Sequence, residues 1–137
     1  MARATRDAEG TVRAYVDVWN AKIPEVVSES ISVYNPTAPG GEVHGRDGLE
    51  AFMRGVVAGF PDFHVTVHDM VSNDDLVMYD ATLTMTHEGE FDGIPPTGRK
   101  VEVPEMAKYY VVDSEIREYR VYFDQQAVFE QLGLIEE

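Results

Sequence analysis

The chain contains no cysteine, which removes disulfide frameworks, thiolate metal sites and cysteine nucleophiles from consideration. It has no uninterrupted apolar run long enough to span a bilayer, and its first ten residues, MARATRDAEG, lack the apolar stretch of a secretory leader. A soluble, cytoplasmic protein with no membrane partner is the expectation. Basic residues are scarce: 11 against 25 acidic ones, a net charge of −14, with lysines only at Lys22, Lys100 and Lys108. A field of that sign repels phosphate backbones and anionic lipid surfaces, so nucleic acid is not an expected partner. No serine sits in a nucleophile elbow, no glycine run matches a phosphate loop, and no dinucleotide fingerprint is present, so nothing calls for a cofactor.

What is present fits one domain over residues 1–137, a length able to bury roughly two-thirds of its unfolded surface. The carboxylates are scattered rather than grouped at metal-ligand spacing. They read as a solvated acidic coat suited to high salt, as in a halophilic source.

Hydrophobic periodicity divides the chain. Val12, Tyr15, Val16 and Trp19 recur at helical spacing within Thr11 to Ala21, and a short second helix is expected from Pro24 to about Ser30. The segment 36-PTAPGGEVHG-45 reads as loop. Leu49, Phe52, Met53, Val56 and Val57 resume the helical stripe, which Gly59 and Pro61 stop. After Pro61 the period falls to two. Strands are expected over 63–71 and from Leu76 to about His87, where Val77, Tyr79, Ala81, Leu83 and Met85 share one face. The loop 89-GEFDGIPPTG-98 leads to a hairpin of strands 100–112 and 116–124, and a last helix covers about 125–132. Helices first, then antiparallel strands, then a helix make an α+β fold with helices packed on one face of a curved, mainly antiparallel sheet.

A three-residue hairpin turn, Asp113 to Glu115, would pair Lys108 with Arg120, Tyr110 with Glu118 and Pro104 with Asp124. Lys108, Tyr110, Arg120, Tyr122 and Asp124 would then share one face, and Val111, Tyr119, Val121 and Phe123 the helix-packed one; a two-residue turn would shift the register by one. Asp124 stands where the strand pattern turns helical. Two readings stay open for it: N-cap of the last helix, or a desolvated carboxylate able to take a proton from carbon beside a carbonyl. His64 and His68 lie on the polar side of a strand without a third ligand, a structural placement, and no metal site is expected. Trp19 belongs by default to the core, and Tyr34 is either a wall residue or a pocket donor.

The stretches 59-GFPDF-63, 86-THEGEFDGIPPTGR-99, Asp113 to Ile116 and 122-YFDQQAVFEQLG-133 together resemble the SnoaL-like polyketide cyclase family, typified by nogalonic acid ester cyclase, in the nuclear transport factor 2-like superfamily. The likeness runs from about Thr11 to the end. It implies a cone-shaped α+β barrel shared with ketosteroid isomerase, a pocket between helices and sheet, and Asp124 as the matching catalytic acid/base. The chain departs from the family pattern at two histidine positions, which here are Tyr110 and Tyr34. The resemblance therefore implies an aldol cyclase or isomerase acting on a small hydrophobic carbonyl ligand. Asp124 would be its base and Tyr110 an enolate donor, and Trp19, Tyr34, Lys108, Arg120 and Tyr122 would line the substrate site. A homodimer is expected through the sheet face that the helices leave open. Two further readings are a non-catalytic ligand-binding or dimerisation module on the same fold, and epoxide hydrolysis by Asp80, Arg120 and Asp124.

The acidic coat makes its own prediction. The Debye length shrinks from ~10 Å at 0.1 M salt to ~3 Å at 1 M, which screens most self-repulsion of a −14 chain. The melting temperature is expected to rise between low and molar potassium chloride; a flat or falling trend would show that repulsion does not limit stability.

Overall fold

A computed structural model of the chain describes residues 8–21 and 27–134. Helix α1 spans Ala8–Ala21 and turns Val12, Tyr15, Val16 and Trp19 inward, as their spacing requires. Helix α2, Arg46–Gly59, buries Leu49, Met53 and Val56. It starts after Gly45, whose φ of 82° suits glycine, and stops where the Phe60 amide bonds back to the Val56 carbonyl ahead of Pro61. Helix α3 is short, Gln125–Gln131.

Among the described residues, six strands form one sheet in the order β2-β1-β6-β5-β4-β3. They are β1 (Val27–Tyr34), β2 (Glu42–His44), β3 (His64–Asn73), β4 (Leu76–Thr86), β5 (Lys100–Val112) and β6 (Glu115–Phe123). The β1–β6 pair is parallel and the others are antiparallel. Two sequence expectations are corrected. Val27 to Ser30 is strand rather than helix, because the segment pairs with β6 at Val27 and again at Ser32 to Tyr34, which buries Ile31 and Val33; the earlier part of that expected helix, 24–26, lies outside the described residues. The loop 36–45 contains a 3-10 turn at Pro39–Gly41 and then β2.

The hairpin turn is also corrected, from three residues to two. Val112 pairs with Glu115 across Asp113 and Ser114, whose φ values of 52° and 63° match a type I′ turn. A bulge at Arg117 then absorbs one residue, because Tyr110 faces Glu118 while Val111 faces Ile116. The bulge restores the expected pairs Lys108 with Arg120 and Tyr110 with Glu118, and it lets both Ile116 and Tyr119 point inward despite their odd spacing. Strand β6 ends at Phe123, opposite Glu105, so the Pro104–Asp124 pair does not form.

One core fills the space between the three helices and the concave sheet face, where β4 contributes Val77, Tyr79, Ala81, Leu83 and Met85. The loop after β4 is latched to the end of α2: the amides of Glu88 and Gly89 both donate to the Gly59 carbonyl at 3.0 Å. The approach leaves no room for a side chain, since a Cβ on Gly89 would stand 2.0 Å from the Ala58 carbonyl oxygen. Gly89→Ala sets backbone against backbone and is expected to destabilise by about 3 kcal/mol, the upper part of the usual range for overpacking. A urea midpoint equal to that of the wild type would show that the latch yields freely.

Candidate active site

Helices α1, α2 and α3 and the concave face of the sheet enclose a cavity with about 90 Å³ of room for the centres of water-sized molecules, several times what one water needs. Its wall is mostly apolar: Val16, Trp19, Phe52, Val56, Phe60, Phe63, Leu83, Met85, Val121, Phe123, Val128 and Leu132. Few polar groups enter it. They include Glu105, Tyr79, Tyr109, Tyr119 and His87, with Asn35, Thr37, Asp92 and Gln125.

Glu105 occupies the apolar phase of β5, between Val103 and Ala107, and only 6% of it is exposed. The Tyr79 hydroxyl donates to its Oε1 at 2.8 Å, and the Tyr79 and Tyr109 hydroxyls are 3.1 Å apart. Burial pushes the Glu105 carboxyl up to about 7, and the Tyr79 hydrogen bond, which favours the ionised form, pulls part of the way back. Burial likewise holds the Tyr79 and Tyr109 phenols well above their ordinary value, with the nearby Glu105 charge adding to it. A second hydroxyl pair, Tyr15 with Tyr119, lies behind them, and the Tyr109 and Tyr119 rings stack at 4.8 Å. Burial raises both of those phenols too. The cluster is thus one carboxyl poised near neutrality among phenols that stay protonated. It can exchange a proton and donate hydrogen bonds to an oxygen within an apolar wall.

The residues expected from the sequence separate into two places. Trp19 is buried and lines the cavity, in contact with Phe63 at 4.9 Å between ring centres. Asp124 does not face the cavity: it is exposed and its Oδ1 accepts from the Ala127 amide at 3.0 Å, the N-cap of α3. Tyr110, Lys108, Arg120 and Tyr122 lie on the outer sheet face, where Tyr122 is 59% exposed and the Lys108 ammonium sits 5.3 Å from the Tyr110 ring centre. Tyr34 stacks under the Arg120 guanidinium at 4.1 Å in a shallow outer groove with Tyr122. Asp80 is exposed as well, so Asp80, Arg120 and Asp124 do not meet in the cavity as epoxide hydrolysis would need. The physical reason is strand parity. Asp124 follows the outward phase of Arg120 and Tyr122, while the odd-numbered residues of β5 point inward.

Glu105 and its tyrosines are absent from the sequence-derived site, although a signal existed. In 101-VEVPEMAKYYV-111 the residues Val101, Val103, Ala107, Tyr109 and Val111 share a phase, and Glu105 is the one acid in it. An acid in the buried phase of a strand is expensive to desolvate, and that cost marks it. His64 and His68 are exposed, and His68 bonds Thr82 at 2.6 Å. No group of three or more metal-ligating side chains occurs among the described residues, and no described helix is long and apolar enough to cross a membrane.

The perturbed carboxyl carries a pH signature. Its folded value of about 7 exceeds the ordinary 4.5, so its contribution to stability is complete below about pH 4.5 and is lost as pH rises through 7. At 1.36 kcal/mol per unit, the loss amounts to about 3 kcal/mol. Glu105→Gln is expected to gain about that much relative to the wild type between pH 4.5 and 8, read from urea midpoints; a constant difference across that window would show an ordinary carboxyl.

Comparison with known proteins finds the same fold in solved structures. A protein of Jannaschia sp. CCS1 assigned to the SnoaL-like polyketide cyclases superposes with a TM-score of 0.83 at 23% identity, covering 99% of each chain. IdmH of Streptomyces antibioticus, assigned as a polyketide cyclase, superposes at 0.79 with 27% identity over 93% of this chain and 99% of its own. A Catenulispora acidiphila protein with a ketosteroid isomerase-like fold, crystallised with trimethylamine, superposes at 0.77 with 18% identity, over 91% and 93%. No curated protein matches the chain. The family model for SnoaL-like polyketide cyclase matches residues 9–132, nearly the whole length, and the chain belongs to that family.

Proposed function

We propose that this chain is a cyclase- or isomerase-type enzyme that removes a proton from carbon beside the carbonyl of a small apolar compound, with Glu105 as the base. The observation that carries this reading is a buried carboxyl raised to about 7, held by one phenol at the polar end of an apolar cavity. A base for carbon acids needs that combination. It must be ionised at working pH yet poorly solvated, so that accepting a proton is favourable. Asp124, in solvent and engaged with the Ala127 amide, does not meet the requirement.

The tyrosine chain supplies the second half of the chemistry. While Glu105 is ionised, Tyr79 donates to it, so Tyr109 is the donor in the Tyr79–Tyr109 bond. Once Glu105 has taken the substrate proton it can donate to Tyr79, Tyr79 can turn to Tyr109, and the Tyr109 proton is released towards the cavity. A phenolic donor becomes free as the enolate forms. Such a donor lowers the barrier most when aimed at the oxygen on which charge develops. Aldol ring closure and double-bond isomerisation share this first step.

A homodimer is part of the same proposal. Met78, Met106, Tyr110, Val112 and Tyr122 are exposed on the sheet face away from the helices, a concentration of apolar surface that suits burial by a second copy. Light scattering is expected to give twice the 15.3 kDa chain mass; a monomer across a wide range of concentration and salt would count against the dimer.

Solvent-deuterium exchange at the α-carbon of aryl ketones tests the base. Glu105→Gln is expected to lower the exchange rate roughly 10²–10⁴-fold, the usual range for general-base catalysis, while Asp124→Asn stays within a few-fold of the wild type. Equal exchange in wild type and Glu105→Gln would remove Glu105 from the mechanism. Ketones that bind without exchanging would favour a binding module on this fold.

A further inference from the structure

We infer that His87 is a specificity-determining donor, whose Nε2–H binds an acceptor oxygen on the ligand at the end of the cavity remote from Glu105. The inference rests on the cavity being a site for apolar carbonyl compounds, but not on Glu105 being the base.

His87 lines the cavity at 0% exposure, immediately beyond the last inward residue of β4. Its position is fixed from several sides. Its backbone amide donates to the Arg99 carbonyl at 2.9 Å, its own carbonyl accepts from Gly98 at 2.8 Å, and its ring stacks on Phe60 with centres 5.1 Å apart. The Thr97 amide donates to Nδ1 at 3.2 Å, and the Thr97 hydroxyl is at the same distance. A ring nitrogen that accepts an amide proton carries none itself, so the neutral ring holds its proton on Nε2. Nδ1 is turned to the loop, which leaves Nε2 on the opposite edge of the ring. There it is buried, and among the described residues it has no hydrogen-bond partner.

A buried donor without an acceptor is unfavourable and uncommon, and at a ligand cavity the acceptor belongs naturally to the ligand. The neighbouring Phe60, Phe91 and Met85 offer none. Distance decides which part of the ligand is meant. Glu105 pairs with Ala81, and His87 follows Ala81 by six residues, one past the end of β4, which sets the two positions roughly 20 Å apart along the backbone. The carbonyl activated beside Glu105 is therefore not the acceptor assigned to His87. His87 recognises a second oxygen at the far end, and the ligand class is an elongated apolar molecule with oxygen functions at both ends.

Two substitutions separate the roles of the ring. In His87→Asn the amide oxygen can still accept from Thr97, but the Nε2 donor is lost; in His87→Gln the amide NH₂ reaches the Nε2 position. The probes are 2-acetyl-6-methoxynaphthalene and 2-acetyl-6-ethylnaphthalene, which share the ketone and differ by one ether oxygen at the far end, with affinities measured by calorimetry or tryptophan quenching. The wild type is expected to prefer the methoxy compound by roughly tenfold, the worth of one hydrogen bond. His87→Asn should abolish that preference with the affinity for the ethyl compound unchanged, which also reports an intact fold, while His87→Gln and Glu105→Gln keep it. A preference that survives in His87→Asn, one that vanishes in Glu105→Gln instead, or no methoxy preference in the wild type would each overturn the assignment. Absent exchange chemistry with an intact His87-dependent preference would instead defeat the base and leave this donor standing.

Discussion

A pleated strand has only two sides, and the β4–β5 pair keeps one unshifted register over its whole length, from Leu76 opposite Tyr110 to Thr86 opposite Lys100. That constancy places Tyr79, Glu105 and Tyr109 on the concave side together. A slip of β5 by one residue would turn Pro104, Met106 and Lys108 inward and carry Glu105 and Tyr109 to the outer face, away from Tyr79. Irregularity is confined to the flanks: β3 carries a bulge between Val67 and Asp69, β6 one at Arg117, and the β1–β6 register shifts between Val27 and Ser32. The bulges increase local twist without disturbing the pair that holds the polar cluster.

The polar cluster illustrates how an acid is tolerated inside an apolar wall. Glu105 near neutrality avoids the full desolvation of a fixed charge, and Tyr79 supplies the bond its ionised form needs. The tyrosines supply aromatic packing as well as hydroxyls. Tyr109 stacks on Tyr119 and meets Tyr15 edge-on, so each hydroxyl is carried by a ring that the core already holds in place. Rotation of a phenolic proton needs no movement of the ring. The hydrogen-bond direction can therefore change within a rigid frame.

Much of the fold was legible in the sequence because its elements are strongly periodic. Val12, Tyr15, Val16 and Trp19 marked α1, and Val77 through Met85 marked β4 and its inner side. The elements that were missed are short or masked by composition: Ser28, Ser30 and Ser32 dilute the alternation of β1, and β2 is three residues inside a stretch of proline and glycine. The site was less legible for a different reason. Asp124 drew attention as a lone acid at the end of a strand, yet one position past the strand is where a cap belongs, and the Ala127 amide takes it. Glu105 was hidden among Glu102, Pro104 and Lys108, whose outward phase makes the segment look polar until the strand is divided by parity. His87 reads as an isolated histidine in sequence, because its partner Thr97 comes from the far end of a ten-residue excursion.

The latch at Gly59 and Gly89 separates two kinds of change. Glu105 and its phenols sit on central strands, while His87, Phe91 and Ile94 come from a connection that is tied down by backbone bonds to α2 and by the Phe91–Ile94 bridge. Because those ties use main-chain groups, positions along the connection other than Gly89 can change side chain without removing a tie. The far wall of the cavity can thus drift in size and polarity over evolutionary time while the proton-handling end stays still. One scaffold could be retuned to a succession of ligands through a few rim substitutions.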